Sequence, residues 1–177
     1  MTMKKIFLLA PLVLFLAFVG CKKVDQLLTF TVDTTQSVAI PPVPGTSLLK
    51  PVTVTTNSAA SFQNNKTTKD KVKDVYLDQL VLTITDPADK TFDFLDKLNV
   101  YINTPGANNK ILLANITSVP QGTNTIKLTP TTARLDEYLK AENYELTVEA
   151  TTNIKAFAPK EYTVRADSRF KVTADPL

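Results

Sequence analysis

The sequence predicts an all-β fold: a single antiparallel β-sandwich, immunoglobulin-like and Greek-key, with one or two short helical turns. Three observations predict it. About eight short segments alternate apolar and polar residues with period two, the pattern of half-buried strands. Turn-forming residues divide them, and because the chain has only four glycines, most turns must use Pro, Asn and Asp. No long stretch keeps the 3.6-residue period of an amphipathic helix, and no fixed-period repeat or heptad occurs.

The first twenty residues stand apart from that body. Lys4 and Lys5 form a short positive region, and Ile6 to Val19 an uncharged apolar run. A membrane-spanning helix needs ~20 apolar residues, and Pro11 would interrupt one. Small Gly20 then precedes Cys21, the only cysteine of the chain. Such an arrangement reads as a secretory signal cut before the cysteine. Phe18, Val19, Gly20 and Cys21 resemble the bacterial lipobox, with Phe18 where Leu is more usual. The resemblance implies cleavage after Gly20 and a lipid-modified Cys21 at the new N-terminus. It also implies anchoring at the membrane; Lys22, in place of an Asp-type retention signal, points to the outer membrane, with periplasmic or surface exposure open. Residues 1–20 are thus the signal, 21–26 a polar tether, and 27–177 the sandwich.

Along the body, Leu28, Phe30 and Val32 alternate with Thr29, Thr31 and Asp33 in a first strand, before the prolines of "PPVPG". Val52 and Val54 mark a second. Residues 57–71, "NSAASFQNNKTTKDK", are polar; they read as a long surface loop, a functional loop, or one holding a short helical turn. In "VKDVYLDQLVLTITD" the apolar residues Val75, Leu77, Leu80, Leu82 and Ile84 are spaced two, three, two and two. An extra residue at Asp78–Gln79 is what a β-bulge inserts, so the segment reads as a bulged strand. Asp86–Pro87 ends it in a turn. "FDFLDKL" reads as a helical turn. Leu98, Val100 and Ile102 alternate in a strand, and "KILLANIT" and "NTIKLTP" flank the turn "PQGTN". "ARLDEYLKA" reads as a second helical turn, with Leu135, Tyr138 and Leu139 at i, i+3 and i+4. Tyr144, Leu146, Val148 and Ala150 share one face of a strand. "EYTVRA" and "RFKVTA" form the last strand or pair of strands.

Composition narrows the chemistry. Histidine and tryptophan are absent, which removes His-based triads, imidazole bases and His-bound zinc or iron. An acylated Cys21 leaves no thiol for a disulfide, a CxxC site or a nucleophile. No GxSxG elbow, P-loop or dinucleotide fingerprint occurs. The chain therefore reads as non-catalytic and without a cofactor. Of 20 basic side chains, 18 remain without Lys4 and Lys5, and they nearly balance the 17 acidic ones, which gives no footprint for nucleic acid.

Weaker candidates remain. Asp86, Asp89, Asp93 and Asp96 are an oxygen-ligand set by type, open as a calcium site. Their spacing lacks the D-x-D-x-D-G loop, and Lys90 and Lys97 lie among them. Asp136 and Glu137 suit the first turn of a helix by charge. Tyr76, Tyr101, Tyr138, Tyr144 and Tyr162 are the rings on which a sugar could stack. Asn65-Lys66-Thr67 and Asn115-Ile116-Thr117 match the N-glycosylation sequon, which a bacterial signal makes irrelevant. Asp33-Thr34-Thr35 resembles a short O-glycosylation motif of some surface lipoproteins, with Thr34 as acceptor.

Finally, "FLDKLNVYI", "LDEYLKAENYELTVEATT" and "FKVTADPL" resemble the small β-sandwich lipoproteins of bacteria rich in such proteins. Together the readings imply a non-catalytic lipoprotein that presents a β-sandwich to an envelope protein or glycan. The alternative is a carrier for a lipid or other hydrophobic ligand, which requires an apolar cavity between the sheets; a glycan-binding module ranks below both.

Overall fold

A computed structural model describes residues 28–41, 45–153 and 161–177. Gly20 and Cys21 lie outside the described residues. Nine strands occur among those described: β1 (Leu28–Ile40), β2 (Thr46–Leu48), β3 (Val52–Thr55), β4 (Val72–Asp86), β5 (Leu95–Asn103), β6 (Ile111–Ile116), β7 (Thr125–Pro130), β8 (Asn143–Thr152) and β9 (Tyr162–Ala174). Two short helices accompany them, α1 (Ser58–Asn64) and α2 (Asp136–Lys140).

All pairings are antiparallel, in the order β1-β9-β4-β7-β6-β5-β8-β2, with β3 also on β8. Strands β5, β6 and β7 follow one another, and β8 returns beside β5. The resulting order β8-β5-β6-β7 is a Greek key. The layer β1-β9-β4-β7 joins the layer of β6, β5, β8, β2 and β3 along a short ladder, Ala114↔Pro130 and Asn115↔Thr129, beside which the Thr131 N–H donates to the Leu113 carbonyl at 3.0 Å. Pro130 has no N–H to give, so the ladder is thin at the fold line and the sheet curls over on itself. The chain is an all-β, antiparallel sandwich, as its period-two segments predict. Its last strand lies in the first layer, between β1 and β4.

Two bulges keep the inner faces apolar. In β4 the partner of Leu77 is Phe170 and that of Gln79 is Arg169, so Asp78 is the extra residue. Leu77 and Leu80 both turn inward and are buried. In β5 the shift lies between Leu95 and Lys97, which turns Leu95 and Leu98 inward together. The helical turn expected over "FDFLDKL" is therefore confined to a 3₁₀ turn at Phe92–Phe94, and Leu95 begins a strand. A bulge converts the two-residue step of a strand into a three-residue step, which mimics helical spacing.

The polar stretch 57–71 is anchored. Helix α1 buries Phe62 against the edge of Phe30, ring centroids 6.2 Å apart. Ser58 Oγ donates to the Leu139 carbonyl at 2.5 Å, and Thr56 Oγ1 to that of Ala141 at 2.9 Å. Thr67 Oγ1 donates to the Asp175 carbonyl at 2.7 Å. At α2, the N-cap residue Leu135 and the helical Tyr138 and Leu139 are buried as their spacing predicts, with Asp136 and Glu137 in the first turn. Between the layers Tyr144 meets Phe170 edge-on at 6.3 Å, and Phe94 stacks on Tyr162 at 4.8 Å.

A candidate ligand cavity between the sheets

Strand β1 pairs only with β9, and β2 and β3 only with β8, among the described residues. These two edges face each other without a ladder between them. A cavity of about 420 Å³ opens in that seam. Its walls come from both layers: Leu80 and Leu82 of β4 and Val164 and Ala166 of β9 on one side, Leu98 and Val100 of β5 and Leu146, Val148 and Ala150 of β8 on the other. Phe92, Phe94 and Tyr162 also line it. The alternation of each strand puts these side chains inward, so the cavity is apolar for the same reason that the core is.

The rim is different. Gln36, Val38 and Ile40 of β1 form one lip, and residues 47–52 the other. Leu48 on that second lip is 64% exposed, a large apolar side chain left in water. The backbone N–H of Leu49 donates to the Val148 carbonyl at 2.8 Å and ties this lip to β8. Lys50 is exposed at the mouth and has no ion pair among the described residues, and no acidic residue lines the cavity. Sequence reasoning passes over this lip. The signal it carries is "SLLKP", two leucines that break the period-two pattern beside a proline.

The other candidates are placed as follows. Thr34 lies mid-strand in β1, half-buried, its hydroxyl 3.4 Å from that of Tyr144. Its neighbours are engaged: Asp33 accepts from Arg169 at 2.8 Å, and Thr35 donates to Asp167 at 2.8 Å. Asp93 accepts from the Gly122 N–H at 2.6 Å, and Asp89 pairs with Lys90 at 3.2 Å. No three acidic, histidine or cysteine side chains converge as a metal site among the described residues. Tyr138, Tyr144 and Tyr162 are buried. Tyr101 has Lys110 over its ring at 4.9 Å, which leaves Tyr76 as the exposed tyrosine for a sugar to stack on. On the outer face of β5 and β8, Glu149 accepts from Asn99 at 3.0 Å and Tyr101 at 3.1 Å. Those bonds, Asn99 first, hold the Glu149 carboxyl below its usual range.

No family model matches the chain, and no curated protein matches it. Solved structures do resemble it. A structure of turnip yellow mosaic virus is 12% identical, covers 86% of this chain and 96% of its own, and has a TM-score of 0.33. For Desmodium yellow mottle tymovirus the figures are 9%, 86%, 91% and 0.30. A structure described as showing the promiscuous specificity of carbohydrate-binding modules of the β-sandwich superfamily is 14% identical, with coverage of 79% and 54% and a TM-score of 0.31.

Proposed function

We propose that this chain is a non-catalytic lipoprotein of the cell envelope, anchored at the outer membrane through an acylated Cys21, whose sandwich carries a hydrophobic ligand. The observation that carries the second half is the apolar cavity of about 420 Å³. Protein interiors contain few voids larger than a water molecule. This one opens to solvent, and water admitted through its mouth makes poor contacts with Leu, Phe and Val. A packing fault of such size is not expected to persist, whereas a ligand site of ~300–1,000 Å³ is ordinary.

The anchor rests on Phe18, Val19, Gly20 and Cys21. One acyl chain binds a membrane only marginally, and stable anchoring takes at least two. The absence of histidine from the sequence, and of any carboxylate in the cavity wall among the described residues, supports carriage without chemistry. The test uses the full chain made in bacteria and purified from the membrane. Native mass spectrometry is expected to show a non-covalent apolar molecule, about one per chain, beside the covalent acyl groups. Its absence, together with no shift in melting on adding apolar probes, would sink the carrier reading. Labelled palmitate still covalently held by a Cys21→Ser variant after denaturation and solvent extraction would sink the anchor.

A further inference from the structure

We infer that the cavity takes a fatty acid, its single acyl chain between the sheets and its carboxylate at Lys50; this rests on the hydrophobic-carrier reading above. Shape sets the chain number. The lining runs from Tyr162 to Ala166 along β9 and from Leu95 to Val100 along β5, about 15 Å at ~3.3 Å per residue. A volume of about 420 Å³ lies at the low end of ligand sites, ~300–1,000 Å³, which favours one acyl chain over two.

Charge sets the head group. Among the described residues the buried wall holds no charged residue, so a charge on the ligand must stay at the mouth, where water and a partner can meet it. Lys50 is the charged residue lining the cavity, exposed and without an ion pair among the described residues. With no acidic side chain in the lining among the described residues, the mouth favours an anion over a cation or a zwitterion. Leu48 beside it covers the first methylenes as they leave the seam.

Photoactivatable palmitate and hexadecanol with the same diazirine near the chain end, offered to the acylated protein in phospholipid nanodiscs, test this. Both are expected to label peptides containing 92–100 or 162–166. Palmitate should exceed the alcohol about fivefold, the upper range for a solvent-exposed ion pair. In Lys50→Glu the palmitate-to-alcohol ratio should fall to about one or below. Lys50 is exposed, and a melting curve checks that the variant is folded. If neither probe labels the wild-type wall, the carrier reading itself fails. Equal labelling in wild type, or a preference that survives Lys50→Glu, overturns the carboxylate assignment and leaves the carrier reading standing. Displacement of palmitate by the diacyl lipid of the discs overturns the single chain.

Discussion

Glu149 shows how much one side chain on a strand face can bind together. Its Oε2 accepts from Asn99 of the neighbouring strand and from the Tyr101 hydroxyl. These bonds favour the carboxylate and lower its pKa in the folded state. The stability gained is present above the unfolded pKa and is lost as pH falls through the lowered folded value. Glu149→Gln should therefore lower the melting temperature slightly at pH 7 and leave it unaltered once the wild-type carboxylate is protonated. Melting measured from pH 2 to 7 should show a shallower acid limb in the variant; parallel limbs would refute the account. At this scale the sequence is informative where spacing is local: Leu135, Tyr138 and Leu139 lie on one face because i, i+3 and i+4 do so in any helix. The partner of Glu149 could not be read, since it comes from a strand some fifty residues away.

Among the elements, β4 and β5 carry the same device and were unequally legible. In β4 the step from Leu77 to Leu80 is flanked by Val81, Thr83 and Ile84, whose β-branching decides for a strand. In β5 the step from Leu95 to Leu98 follows Phe92, Asp93 and Phe94, none of them β-branched, and the helical spacing misleads. Deleting Asp78 would leave Leu77 and Leu80 two residues apart, so Leu80, Leu82 and Ile84 would stay on the inner face and opposite the same residues of β9. The ~1.5–3 kcal/mol contributed by each of these buried side chains is then kept. A cooperative unfolding transition is expected to persist by circular dichroism, and its loss would show that the fold needs the bulge itself. Asp78→Ala, at an exposed position, keeps the count of residues and should unfold within about 0.5 kcal/mol of wild type.

For the whole molecule the decisive feature is the gap between the layers. Ala150 and Ala114 are both buried, but Ala150 lines the cavity and Ala114 does not. Ala114→Leu overpacks a filled core and should cost ~1–3 kcal/mol. Ala150→Leu has space to enter. It should be neutral or stabilise by up to about 1 kcal/mol, at ~0.8 kcal/mol per buried methylene, while reducing palmitate labelling. Denaturant unfolding of both variants tests this, and equal penalties would mean that the cavity is filled by the protein itself. The sequence alone determined the class of fold, most of the strands, the bulge at Asp78, and a lipobox-like "FVGC" that reads as an anchor. Each is a local pattern, in which neighbours along the chain decide the outcome. Only the tertiary structure decided that the sandwich is hollow. Leu82, Leu98, Leu146 and Val164 read as ordinary core in any strand. Whether such side chains meet across the sheets depends on their joint volume and on two edge strands that never pair. No stretch of neighbouring residues encodes that distance.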